Sequence, residues 1–161
     1  MSHDDRAAVS LAREGLDLVL GENWVYDDYA EVHGFVLEVA LRFGDRELLD
    51  HLRQVVLEAG ALLPTGLRGH DAYLRAIDAD PVTSPEEVER LFTTAVHEYD
   101  VWGSPVYVAR ARAAYGVWLT RQGRAEDAAA QLTAARQTYE ELGAVGWLRE
   151  LEEQLAGSRV S

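Results

Sequence analysis

Residues 109 to 142 read ARARAAYGVWLTRQGRAEDAAAQLTAARQTYEEL, and the spacing inside this stretch decides the fold. Tyr115, Gly116 and Leu119 set a large apolar residue, a glycine and a second large residue along one face of a first helix. Further on, Gly123 stands where a turn needs positive φ, and Ala128 gives a second helix a small residue where it crosses the first. Leu132 and Ala135 continue the buried stripe. Two helices approach to the short end of the usual interaxial range only where no bulky side chain intervenes. The stretch therefore reads as a helix, a turn and a second helix folded back on it.

Upstream, the same punctuation recurs. Arg6 to Leu20 carries Ala8, Leu11, Ala12, Gly15, Leu16 and Val19 at the rhythm of an amphipathic helix, stopped by Gly21. A second helix is expected from Asp27 to Phe43, with Tyr29, Val32, Val36, Val39, Ala40 and Phe43 inward and Gly44 as its C′ residue. Asp45 caps a third, Arg46 to Ala59, striped by Leu48, Leu49, Leu52, Val55 and Val56. Gly60, Pro64, Thr65 and Gly66 read as a broken connection. A fourth helix, Leu67 to Ala79, follows, with Leu67, Ala72, Tyr73, Ala76 and Ile77 inward. Ser84-Pro85-Glu86-Glu87 combines an N-cap hydroxyl, a proline at the first helical position and a glutamate three residues after the cap. Helix five begins there and ends near Asp100. Ser104-Pro105 repeats the device for helix six, Pro105 to Arg121. Helix seven covers Ala125 to Leu142 and helix eight Val145 to Ala156. Strand signals are absent.

Internal repetition supports a series of such pairs. Laying Ala128 over Val88 brings Leu132 onto Phe92, Ala135 onto Ala95 and Tyr139 onto Tyr99. The corners 20–24, 99–103 and 142–147 also rhyme, with Trp24, Trp102 and Trp147 at each entry into a first-type helix. The turns after Phe43 and Gln122 lie about two repeats of a roughly 34-to-40-residue class apart. The chain is then a single domain over 1–161, roughly three and a half repeats beginning with a second-type helix. An array starting mid-repeat presents an apolar N-terminal flank, so either the chain is cut from a longer array or that flank is an interface, such as that of a homodimer through the first helix.

Composition bounds the function. The 161 residues suit about one domain. A net charge of -13 repels phosphate backbones and anionic lipid heads, so neither nucleic acid nor membrane is the expected direct partner. There is no cysteine, hence no disulfide framework or thiolate metal site, and a reducing, cytoplasmic setting is expected. The N-terminal residues Ser2, His3, Asp4 and Asp5 do not resemble a secretion signal. No apolar run approaches the ~18 residues that span a bilayer.

The run Tyr115-Gly116-Val117-Trp118-Leu119-Thr120-Arg121-Gln122-Gly123-Arg124-Ala125-Glu126-Asp127-Ala128, with Thr138 to Ala144, Trp147 and Glu150-Leu151, resembles the tetratricopeptide-like C-terminal arrays of bacterial signal-transduction ATPases and LuxR-type regulators. The resemblance covers Leu67 to Leu155 and, more loosely, the whole chain. It implies an all-α fold, a right-handed α-solenoid of tetratricopeptide-like hairpins with about eight helices, serving beside an NTPase and an output domain. Arg112 departs from the pattern where it has Trp, Glu140 where it has Pro, and Arg53 falls on the Leu132 position of the third helix. No GxxxxGK loop and no DNA-reading helix pair is present, so ATPase activity and direct DNA binding do not carry over.

Chemistry is sparse. His3, His33, His51, His70 and His97 form no HxxxH or HExxH pair, and a metal site needs at least three converging ligands, so each reads as a surface or boundary residue and no metal or cofactor is expected. Asp27 and Asp28 favour the dipole at a helix start. Asp78 and Asp80 lack the further ligands of a calcium loop. Ser84 and Ser104 are caps with no His base near them in sequence. The chain is read as a non-catalytic interaction module.

By the resemblance, first-type helices line a concave surface, which places Arg110, Ala113, Val117, Thr120 and Arg121 there from the last unit and Glu31, Gly34, Glu38, Leu41 and Arg42 from the first. Arginines on such a groove suit carboxylates of a protein or peptide partner, or of other domains of a parent protein. The competing assignment has Arg110 and Arg121 pairing with acidic residues of neighbouring helices. A second functional class is a sensor, in which a small molecule or peptide in the groove controls a transcriptional regulator.

Overall fold

The computed structural model describes residues 3–21, 26–60, 63–80 and 82–158. Among them eight helices and no strand occur: α1 His3–Gly21, α2 Tyr26–Phe43, α3 Arg46–Ala59, α4 Thr65–Ile77, α5 Pro85–Trp102, α6 Pro105–Arg121, α7 Ala125–Glu141 and α8 Val145–Ser158. The all-α expectation holds. Their contacts divide into two compact units, Met1–Asp71 and Ala72–Ser161, with the division falling inside α4.

Helix starts follow local chemistry. Asp45 caps α3, its carboxylate accepting the Leu48 N-H at 3.0 Å. Ser84 caps α5, its hydroxyl accepting the Glu87 N-H at 3.2 Å, with Pro85 at the first helical position. Such a cap contributes about 1 kcal/mol. The reciprocal half of the capping box is not made, because the Glu87 carboxylate turns to Arg90 at 2.6 and 2.8 Å. Ser104 sits at the N-cap of α6 without a side-chain bond, so there the proline alone carries the start. α5 runs two residues past Asp100, to Gly103 in the left-handed region.

The connection before α4 needs correction. Thr65 and Gly66 lie inside the helix, and the carbonyl of Pro64 accepts the Arg68 N-H at 3.0 Å. A proline at that place offers no side-chain oxygen, so no cap signal marks the start. Arg68 holds the first turn instead, donating to the Leu63 carbonyl at 2.8 Å and to the Thr65 hydroxyl at 3.2 Å.

In the first unit, α1 packs on α2 and α2 on α3. The buried stripe of α1 is Val9, Ala12 and Leu16; Leu11, expected inward, is exposed. The stripe of α2 is Ala30, His33, Val36, Leu37 and Ala40, rotated from the expected one, while that of α3 is as read. Arg13 of α1 reaches Asp45 at 3.0 Å and Glu47 at 3.0 Å. Asp45 is thereby held below the usual carboxylate range, first by the Leu48 N-H and then by Arg13.

In the second unit, α5 packs on α6, α6 on α7, and α8 on both α6 and α7. Gly116 is where the first-quoted hairpin closes. A Cβ there would lie 2.6 Å from Leu132 Cγ and 3.3 Å from the Ala128 carbonyl oxygen, so only glycine lets α6 and α7 come this near. Gly123 turns the chain between them at φ 75°, as its place in the sequence required.

The two hairpins of this unit repeat one another at a forty-residue spacing. Val88, Phe92, Ala95 and Tyr99 of α5 are buried; so are Ala128, Ala135 and Tyr139 of α7, with Leu132 half-buried. Tyr99 stacks on Tyr107 at 5.4 Å, and forty residues on Tyr139 meets Trp147 at 5.8 Å. Ala111 and Leu151 are likewise both buried. The same spacing corrects the register of α3: Leu48, Leu52 and Val55 are buried as Val88, Phe92 and Ala95 are. Leu52, not Arg53, takes the Leu132 position, and Arg53 turns out to Asp50 at 2.8 Å. The tryptophan rhyme also needs correction. Trp102 belongs to the last turn of a second-type helix, whereas Trp147 starts a first-type one. Trp24, and the side chains of Val19, Asp27 and Asp28, lie outside the described residues.

Candidate functional site

The residues placed on a concave face by the resemblance separate into used and exposed. Arg110 is used: its side chain is 12% exposed, it pairs with Glu150 at 3.1 Å, and its guanidinium lies 5.8 Å over the Trp147 ring. Ala113 and Val117 are core side chains, packed with Ala109, Ala135, Tyr139 and Leu151. These three present no surface to a partner. Thr120 is exposed, its hydroxyl donating back to the Gly116 carbonyl at 2.9 Å, and Arg121 is exposed beside it. In the first unit Glu31 and Arg42 are exposed, Glu38 and Leu41 half-buried and Gly34 buried. The Arg42 guanidinium lies 6.0 Å over Phe43.

A different part of α6 faces a cleft of about 280 Å³, lined by Thr93, Val96, His97 and Asp100 of α5, Arg112 and Tyr115 of α6, and Gln131 of α7. Arg112 is half-buried there. Its Nε is buried and has no hydrogen-bond partner. Leaving a buried donor unsatisfied costs on the order of 1–3 kcal/mol.

Next to the cleft a tight network fixes the Tyr115 ring. Its hydroxyl donates to Glu89 at 2.6 Å, and Arg124 reaches the other oxygen of Glu89 at 2.7 Å and Asp127 at 2.8 Å. Arg124 and then Tyr115 hold Glu89 below the usual range; burial, with Glu89 beside it, pushes Tyr115 up to about 12. One wall of the cleft is therefore braced from α5, α6 and the start of α7.

His33 and His70 correct the reading of the histidines as surface groups. Both are 0% exposed, with rings stacked 5.3 Å apart at 20°. His70 Nε2 lies 3.0 Å from the Ala30 carbonyl and His33 Nε2 3.3 Å from the Leu52 carbonyl, while His33 Nδ1 has no partner. Each Nε2 facing a carbonyl donates its N-H there, and it is burial that favours the neutral ring. Burial lowers His33 to about 4 and, with His33 opposite, lowers His70 well below its ordinary value. Nothing in the sequence links the two, since they sit on separate helices and meet only when those pack.

A smaller depression of about 80 Å³ is lined by Arg13, Leu16, Asp17, Leu48 and His51, with Arg13 already engaged by Asp45 and Glu47. Among the described residues no group of three or more His, Asp or Glu is placed to hold a metal ion. No helix among them is long and apolar enough to cross a membrane. Compared with models of known families, with curated proteins and with solved structures, the chain gives no match.

Proposed function

We propose that this chain is a non-catalytic interaction module, a right-handed α-solenoid of tetratricopeptide-like hairpins in a bacterial regulatory protein of the LuxR or signal-transduction ATPase kind. The observation that carries the reading is the forty-residue equivalence of the α5–α6 and α7–α8 hairpins, in burial and in the Tyr99–Tyr107 and Tyr139–Trp147 contacts. Helix pairs that repeat in this way expose corresponding faces and read extended partners rather than hold a single reacting group.

On this proposal the docking face of the second unit is the exposed end of α6, Thr120 and Arg121, where a guanidinium suits a partner's carboxylate. In the first unit Glu31 and Arg42 are the exposed members of the corresponding set. A second copy of the chain docks on α1 through Leu11 and Leu18. The test is affinity capture with the unaltered chain and with Arg121→Glu combined with Thr120→Arg. Loss of the captured protein at an unchanged melting temperature supports the face; equal capture by the double variant overturns it.

The sensor reading is favoured by one observation of its own, the Arg112 cleft between α5, α6 and α7.

A further inference from the structure

We propose that the cleft around Arg112 is a binding site for a planar, singly charged carboxylate, either that of a small organic acid or the side-chain carboxylate of an acidic peptide. The site stands apart from the docking face proposed above. Arg121 follows Arg112 by nine residues, two and a half turns of helix, so the two guanidinium groups leave α6 on opposite sides. Failure of one assignment leaves the other untouched.

Three groups in the cleft are uncommitted among the described residues. Arg112 makes no hydrogen bond or ion pair, and its Nε is shielded from solvent with nothing to accept from it. Gln131, from α7, brings an amide with two donors, and His97, from α5, an imidazole; neither is engaged elsewhere. Tyr115 and Thr93 are not available as donors, because the tyrosine hydroxyl is given to Glu89 and the threonine hydroxyl to the Glu89 and Arg90 carbonyls. What remains is the Arg112 guanidinium with an amide and an imidazole, arriving from three helices and held by a scaffold already braced at Tyr115.

The charge of the ligand follows from what else is present. Asp100 lines the same cleft, and the chain as a whole carries -13. A doubly charged phosphate meets both of these with twice the charge of a carboxylate, against a single guanidinium. A carboxylate also matches the planar fork of arginine with two parallel bonds. Asp100 is left as an acceptor for a donor elsewhere on the ligand, an amide N-H or an ammonium. At about 280 Å³ the space suits a single side chain or a small acid rather than a nucleotide.

The experiment is a titration of the full chain followed by the side-chain Nε-H resonance of Arg112, assigned by its absence from Arg112→Gln. The probes are sodium acetate, succinate, inorganic phosphate and an end-blocked Ala-Glu-Ala peptide, each against sodium chloride of equal ionic strength. The expected result is a saturable shift with a carboxylate probe, half-complete at a dissociation constant of about 1 mM or below. Gln131→Ala, which leaves the arginine in place and guards against an unfolded Arg112→Gln, is expected to weaken it several-fold. Saturation by acetate or succinate alone identifies a small acid as the source, and saturation by the peptide an acidic side chain; either supports the site. A shift matched by sodium chloride, an equal response to phosphate, or no change in Gln131→Ala overturns it.

Discussion

Arg110 and Glu150 meet at 3.1 Å across α6 and α8, and they occupy the same position in two hairpins forty residues apart. The pair ties one repeat to the next through equivalent sites, with the Arg110 guanidinium also over Trp147. Arg110→Ala is expected to lower stability by about 1 kcal/mol, through lost contact with the indole as well as lost charge. Glu150 is 44% exposed and stays hydrated when its partner leaves, so Glu150→Gln is expected to cost under about 0.5 kcal/mol. Urea unfolding of both variants checks this; a larger loss in Glu150→Gln than in Arg110→Ala would reverse the assignment.

The crossing of α6 and α7 gives the sharpest steric forecast. Gly116→Ala places a methyl 2.6 Å from Leu132 Cγ. Alanine favours helix by about 1 kcal/mol over glycine, and overpacking costs about 1–3 kcal/mol, so a net loss of about 1 kcal/mol is expected. Leu132→Ala alone destabilises, yet the double variant should be no less stable than Leu132→Ala, because the methyl then has room. Additive losses would mean that the close approach is not what excludes a side chain.

Acid sensitivity follows from the histidine pair. In the unfolded chain an imidazole takes a proton near pH 6.5. In the folded chain His33 does so only at about 4, and His70 lower than usual as well. As pH falls below about 6.5 the unfolded state binds protons that the folded state refuses, so stability declines, by up to about 1.4 kcal/mol per pH unit for each ring. For His33 the loss is complete near 4 and amounts to roughly 3 kcal/mol. Asp45 and Glu89, held below their usual values, act in a different window: what they contribute is intact above about 4 and is lost beneath it. Unfolding free energies at pH 7.5, 6 and 5 should therefore fall less steeply in His33→Gln. An unchanged slope would remove the imidazole from the account.

Self-association through α1 has a clean pair of controls. Leu11 and Leu18 are 67% and 66% exposed and stand two turns apart on one face, whereas Leu16 is 1% exposed. Leu11→Glu with Leu18→Glu is expected to convert a dimer to a monomer in sedimentation while preserving the melting temperature. Leu16→Glu should unfold the first unit instead. A wild-type chain that sediments as a monomer across the micromolar range would dispose of the dimer.

Much of this architecture was legible where local chemistry is strong. Asp45, Ser84 and Pro85, Gly123 and the stripe of α3 each announce themselves through a cap, a fixed φ or a run of leucines. The start of α4 did not, because Pro64 gives no side-chain oxygen and Gly66 looks like a breaker although it is buried in the helix. Periodicity put Leu11 inward because it fixes the angle between residues but not which neighbour covers them. The concave set followed from a repeat register that cannot tell core from groove, hence Ala113 and Val117. The Arg112 cleft and the His33–His70 stack depend on side chains from helices far apart in sequence, and no spacing rule joins them.

The imidazole stack has a practical corollary for handling the protein. The isoelectric point is about 4.7, which falls between the proton affinities of the unfolded and the packed histidine rings. Where mutual repulsion between molecules vanishes, the first unit has also lost much of the stability that its neutral histidines confer. Precipitate formed near that pH should then consist of chains with exposed interiors, and should redissolve slowly if at all on neutralisation.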